Sequence, residues 1–424
     1  MSSDDRRETQ PAEEAVSSQP PQGSESSVSA EATQPAEGNA PAEATQPAEA
    51  AAPTLTATTD HADRAEATEA ARADVPTDGG SLVSRAIANL GRGWDWLEEM
   101  LTGRYHATYG LAVTRILMGV AGLGLLLTNF AARNYAFGVG AAWNGEIAAP
   151  KSDFPNIWLF SLFHRAVTNP PLYTALIVVL GILAITVILG WRTRIILPFY
   201  LILWVSFIEL NDSAGDQGDN AYRMFLIALL FADTTRRWSL DARRRRKRNP
   251  AFPETDGGEF RWILIMANNL AIVVLAFQVC AIYMSGGLYK AGGTAWQHGF
   301  AVYNPLQTQQ FGTWPVLSDL VTAWGPGVVV ISWGSILFQV AFPFMLFNRW
   351  TRVVALIGIL SFHLGIALLM GLPWFSLTMI AVDAIFIKDR SFERFGAFLR
   401  RWWTSTRGAP QRPDAAPTAD RATD

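Results

Sequence analysis

A single cysteine, Cys280, stands in the whole sequence, which excludes an intrachain disulfide framework and a thiolate metal cluster. Histidine is nearly as sparse. His61, His106, His164, His298 and His363 are too scattered for a zinc spacing such as H-E-x-x-H, so no metal site is expected. Charged residues make up 17% of the chain, against about 25% in an ordinary globular protein. Half of the residues are apolar and 16 are tryptophan, a balance that excludes a single soluble globular protein. Residues 1–80 contain no Trp, Tyr or Phe. No apolar run follows the initiator Met, so this opening is not a secretory signal.

The opening differs from the rest of the chain. Of 37 acidic and 34 basic residues, 16 acids and 4 bases fall in residues 1–80, leaving 21 acids and 30 bases beyond them. Thr-Gln-Pro-Ala-Glu recurs at 9–13, 33–37 and 45–49. Such a segment buries too little apolar surface to offset its chain entropy, and a disordered acidic tail is expected over 1–80. Residues 82–102 change character. Val83, Ile87, Leu90, Trp94, Leu97 and Leu101 recur at three- and four-residue steps along one helical face. With Trp94 and Trp96 beside them, they predict an interfacial helix lying on the bilayer.

A hydrocarbon core takes about 20 apolar residues of helix. Runs at 107–130, 172–190, 195–210, 262–285, 327–347 and 353–371 qualify, and 220–233 and 374–388 are shorter members of the same series. The expected fold is therefore an all-α integral membrane protein, a bundle of about eight transmembrane helices over 103–392. Stretches 157–163 and 315–324 read as re-entrant or interfacial, leaving the count open by one. Arg192 and Arg194, Arg236 to Arg248, Arg349 and Arg352, and Lys388 to Arg401 all fall on one side if eight runs cross. The positive-inside rule makes that side cytoplasmic, with both termini, in a plasma membrane. Beside membrane spans the run 243–248 reads as a topology anchor rather than a nucleic-acid patch. Residues 393–424 are then a basic, later disordered, cytoplasmic tail.

The same parity places 131–171, 211–219 and 286–326 outside, where a site is expected. Ionisable groups in or at the edge of spans are costly and are functional candidates. Glu209, Asn211 and Asp212 close the third run, and Gly215-Asp216-Gln217-Gly218-Asp219-Asn220 leads to Arg223. Asp219 and Arg223, four apart, share a helical face, as a structural ion pair or as part of a site. The fifth run carries Asn268, Asn269 and Gln278, then Tyr283-Met284-Ser285-Gly286-Gly287-Leu288-Tyr289-Lys290. Glycines on both sides of Lys290 predict a tight turn and close helix approach. A lysine stripped of water can surrender its proton and act as a base; the competing reading is a snorkelling interfacial lysine. His363 lies in the outer half of the seventh run, where packing and chemistry are both open. Asp383, nearer the cytoplasmic end, reads as structural.

These segments together resemble the horizontally transferred transmembrane domain family, in its short bacterial form. The resemblance rests on Gly218-Asp219-Asn220-x-x-Arg223, on Arg237-Trp238-Ser239-Leu240-Asp241, and on Tyr283-x-Ser285-Gly286-x-x-x-Lys290-x-x-Gly293-x-x-Trp296-x-x-Gly299. Phe362-His363-Leu364, with Phe375 downstream, completes it. The family takes its name from vitamin K-dependent gamma-glutamyl carboxylases and many bacterial membrane proteins. It implies a multi-span bundle with a site near the non-cytoplasmic face, Lys290 as base, and a reduced quinone as cofactor. Carboxylases place a histidine shortly before the fourth span, where this chain reads Gly218-Asp219-Asn220. One expectation is an enzyme acting on a quinol or membrane-delivered substrate, with Glu209, Asp219, Arg223 and His363 positioning charge around Lys290. Another is a non-catalytic membrane partner in maturation or export of a secreted peptide or toxin. A transporter is disfavoured, since no paired broken helices mark two similar halves.

Overall fold

A computed structural model describes residues 82–140, 156–211, 214–251, 258–309 and 311–406. The expected tail over 1–80, the middle of the 131–171 loop, Asp212 and the chain beyond 406 lie outside the described residues. All described regular structure is helical. The principal helices are α1 (Leu82–Glu98), α2 (Thr108–Asn129), α3 (Pro170–Leu189), α4 (Thr193–Ile208), α5 (Gln217–Phe231) and α6 (Leu240–Arg248). They continue with α7 (Arg261–Ala291), α8 (Gly325–Met345), α9 (Arg349–Leu369), α10 (Pro373–Asp383) and α11 (Asp389–Thr406).

Each of the eight apolar runs is a helix, but they are not equal. Five, those at 108–129, 170–189, 258–291, 325–345 and 349–369, are long and apolar enough to cross a membrane. The 16 residues of α4 reach only about 24 Å at 1.5 Å per residue, short of a hydrocarbon core of about 30 Å. Still shorter are α5, with 15 residues, and α10, with 11. Helix α1 occupies the expected interfacial segment and leaves Ile87, Leu90, Trp94 and Trp96 exposed. Where a basic tail is expected, α11 continues as helix to Thr406 and exposes Phe395, Phe398, Trp402 and Trp403.

Local signals set the boundaries. Asn169 caps α3, accepting from the Leu172 N–H, with Pro170 in the first turn, and Gly190 ends it at φ 67°. Asp216 and Asp219 form a reciprocal capping box on α5. Such caps satisfy backbone donors that a helix cannot satisfy itself.

Helix α2 is the centre of the bundle. Small residues let its neighbours close on it: a Cβ on Gly119 would lie 2.6 Å from Ile188 of α3, and one on Gly124 would lie 2.2 Å from the Trp374 ring of α10. Its amino-terminal amides are capped from far along the chain. The Asp389 carboxylate accepts from the Thr108 and Tyr109 N–H groups at 3.1 and 2.9 Å, and from the Thr108 hydroxyl at 3.0 Å.

The arginine-bearing end of the bundle is tied by buried polar groups. Arg115 donates to the carbonyls of Val187, Ile188, Thr234 and Trp238. Asp233 pairs with Arg236 at 3.3 Å and Arg194 at 3.6 Å. The Asp233 N–H donates to Asn268, which donates to Asn269, whose amide nitrogen reaches the carbonyls of Met100, Leu101 and Arg104. The polar pair in the fifth run thus holds the structure together. Ser239 caps α6, and Asp241 accepts from the Thr193 N–H that opens α4.

Candidate functional site

At the opposite end, α7 runs beyond its apolar stretch, and the expected turn falls on one side of Lys290 only, at Gly292 and Gly293, where the Gly293 N–H donates to the Lys290 carbonyl at 2.9 Å. Gly286 and Gly287 stay helical, and the helix ends only at Gly292. Gly287 serves close approach instead: a Cβ there would sit 2.8 Å from Val340 and 3.2 Å from Gln339 on α8. Tyr283 and Lys290, seven residues apart, therefore fall on one face, with the glycine pair between them.

Lys290 is half-buried. Its amine donates to Gln339 Oε1 at 2.8 Å and lies 5.5 Å from the centre of the Trp296 ring. Beside it, a Cβ on Gly286 would meet nothing nearer than Lys290 Nζ at 3.8 Å and Gln339 Nε2 at 4.0 Å. The helix face next to amine and amide is open.

One level deeper, three buried side chains from three helices meet. Tyr283 Oη donates to Asp383 Oδ2 at 2.9 Å and lies 3.1 Å from His363 Nε2. The phenol has one proton, so the His363 Nε2–H donates to Tyr283, which donates to Asp383. This leaves His363 Nδ1 and Asp383 Oδ1 buried without a partner. Buried polar atoms are nearly always satisfied, so two unpartnered atoms in one cluster set it apart from the apolar packing around it.

A third cluster lies where α4 ends and α5 begins. Arg223 donates to Glu209 at 2.6 Å and to Asn220 at 2.7 Å. Asp219 accepts from the Asp216 N–H at 3.0 Å. The printed geometry joins Arg223 to Glu209 and Asn220, while Asp219 serves the capping box. The Asp216 carboxyl is pushed above its ordinary range by burial, opposed by the N–H groups of Gly218 and Asp219. The His164 ring, with both nitrogens buried and unpartnered, is held below its ordinary range by burial, opposed by the Glu209 charge. A cavity of about 470 Å³ opens here, lined by Trp204, Glu209, Asp216, Asp219, Asn220 and Arg223 among others.

The five sequence candidates therefore fall into three groups: Lys290 with Gln339 and Trp296, His363 with Tyr283 and Asp383, and Glu209 with Arg223 beside Asp219. Phe375 stands between the last two, its ring 5.8 Å from His363 and its backbone 3.2 Å from the Cβ position of Gly218. Sequence reasoning missed Gln339, a lone amide in an apolar run, and set Asp383 aside as structural.

The pair Glu209–Arg223 is expected to show coupling of about 1–3 kcal/mol in a double-mutant thermal cycle, because both side chains are largely buried. The Asp219/Arg223 cycle should give a smaller value. Additivity for Glu209→Ala and Arg223→Ala would show that their contact carries no energy.

No solved structure matches this chain. The match of residues 107–390, from the turn before α2 to just past Asp389, to the model of the HTTM domain makes this chain a member of the HTTM domain family.

Proposed function

We propose that this multi-pass membrane protein carries an outward-facing site in which Lys290 acts as a base on a quinol or another membrane-delivered substrate. The observation that supports this most is the company Lys290 keeps. Among the described residues its partners are a neutral amide and an aromatic ring, not a carboxylate. An anchoring lysine is best served by an anion, which holds the ammonium form. A neutral amide leaves the amine free to exchange a proton with a substrate entering over Gly286.

A reduced quinone fits the open cradle at Gly286: Lys290 and Gln339 would hold a ring hydroxyl, and the quinol would supply electrons when bound. Lys290 takes a proton from the substrate. Gln339 orients the amine, and Trp296 shields it from water. His363, Tyr283 and Asp383 form a short donor chain beneath, able to pass a proton inward. Glu209, Asp219 and Arg223 shape the neighbouring polar cavity where a charged portion of the substrate would rest.

This reading takes all eight helices as crossing or entering a plasma membrane, with both termini cytoplasmic. In a Cys280→Ser background, Thr308→Cys is expected to react with an impermeant maleimide from outside, and Lys247→Cys only after permeabilisation. The reverse pattern would overturn the orientation and the site with it. The role of Lys290 is tested by comparing Lys290→Arg with Lys290→Ala at equal membrane abundance. If both keep function, the reading as a non-catalytic partner in secreted-peptide maturation or export replaces it.

A further inference from the structure

We infer that the arginine-bearing end of the bundle holds a binding site for a phosphate-bearing anion, and that its occupant is the headgroup of an anionic phospholipid. A cavity of about 510 Å³ opens where α3 ends and α6 begins. Arg236, Arg237, Arg243 and Arg246 line it, and no carboxylate is among its lining residues. The nearby acids are turned elsewhere: Asp233 to Arg194 and Arg236, Asp241 to the Thr193 N–H and Arg244, and Asp389 to the Thr108 and Tyr109 N–H groups. With Arg236 paired to Asp233, the guanidinium groups of Arg237, Arg243 and Arg246 share one opening, and like charges there repel one another unless an anion joins them.

The arginines do not have equal roles. Arg236 is satisfied by Asp233 and stacks 3.7 Å over Tyr105, so it contributes background charge. Arg237 stacks 4.9 Å over Tyr109, and its Nε is buried with no hydrogen-bond partner. A buried guanidinium donor of this kind suits a phosphate oxygen as acceptor. Arg243 and Arg246 stand one turn apart on α6, exposed, so both reach the same opening.

The opposite wall indicates why a lipid fits better than a soluble phosphate. Ile188 and Leu189, at the end of α3, line the cavity together with Trp238. Leu189 is 48% exposed and Trp238 54%, so the apolar wall continues onto the outer surface of the bundle. Trp238 is held there at φ 45°, a left-handed conformation that a bulky residue adopts only when its surroundings impose it. A ligand with a phosphate at one end and acyl chains at the other matches both walls, and basic pockets beside helix ends recognise such headgroups.

The test uses the full chain in neutral detergent, following its melting temperature. Phosphatidylglycerol is expected to raise it in a saturable way, while phosphatidylcholine leaves it unchanged. Arg243→Gln/Arg246→Gln should weaken the apparent affinity for phosphatidylglycerol about tenfold or more. Lys247→Gln/Arg248→Gln, which removes the same charge from the same helix but not from the cavity, should leave it within about twofold. Both doubles change exposed residues, so folding is preserved. If inorganic phosphate alone gives the full shift, the anion site stands and a soluble phosphate replaces the lipid as its occupant. Equal losses in the two doubles, or equal shifts from the two lipids, would overturn the site.

Discussion

Lys290→Arg is expected to abolish function as completely as Lys290→Ala, although it keeps the positive charge. A positioned general base contributes about 10²–10⁴-fold to a rate, so both variants should fall by that order at matched membrane abundance. The reason is the proton. Lysine in a water-poor site can lose it, whereas arginine effectively cannot. The surroundings of Lys290 sharpen the contrast, because Gln339 Oε1 accepts one hydrogen bond from the amine and would accept one from a guanidinium as readily. An anchoring role therefore forecasts that arginine serves well. Growth, or any phenotype that deletion produces, measured for the two variants decides between the forecasts. An arginine variant that works like the parent makes Lys290 an anchor.

The largest loss of stability is expected at the other end of the bundle, at Arg115. Its side chain is 1% exposed and donates to four carbonyls drawn from the end of α3 and the segment 234–238. Arg115→Ala removes a donor from each of those carbonyls, of which among the described residues only Val187 keeps another, the Gly190 N–H, and opens a cavity, at a cost of about 3–5 kcal/mol. In a chain of this size that corresponds to a fall of about 5 °C in melting temperature. Arg115→Lys should recover little, since one ammonium cannot spread its donors as a planar fork does. Thermal unfolding in detergent measures both. A lysine variant melting with the parent would mean that the fork geometry is unimportant. The two sets of variants separate cleanly, Lys290 affecting function at constant stability and Arg115 affecting stability itself.

Hydropathy alone made the helices legible: every expected apolar run, from 107–130 to 374–388, is a helix. How many of them cross was less legible. A run of apolar residues does not reveal that α4 breaks at Glu209 or that α10 gives way after 11 residues, since those ends depend on which neighbours cover them. Lys290 and His363 stood out because a charge in an apolar run is visible locally. Arg115 lay in the first run and went unremarked, and Asp383 read as structural, because what each touches comes from distant sequence. Tyr283 joins residues 80 and 100 positions away, a juxtaposition that no local pattern encodes. The two glycine pairs around Lys290 divide the roles expected of them, Gly287 serving close approach and Gly292 with Gly293 the turn. Glycine permits a turn as well as close packing, and only the position of α8 selects between them.

Asp389 carries a consequence for how the protein is made. The amides it satisfies at Thr108 and Tyr109 belong to the first of the long apolar helices among the described residues to leave the ribosome, and the carboxylate lies 281 and 280 residues later. Throughout translation of everything between, that helix waits in the nascent chain with its leading donors unanswered. Asn269, which gathers the carbonyls of Met100, Leu101 and Arg104, arrives partway and settles only the turn ahead of it. The earliest segment is therefore among the last to be finished. A chain stalled or cut short before residue 389 retains an unsealed helix end at its centre, exposed to the quality-control proteases that survey newly inserted polypeptides.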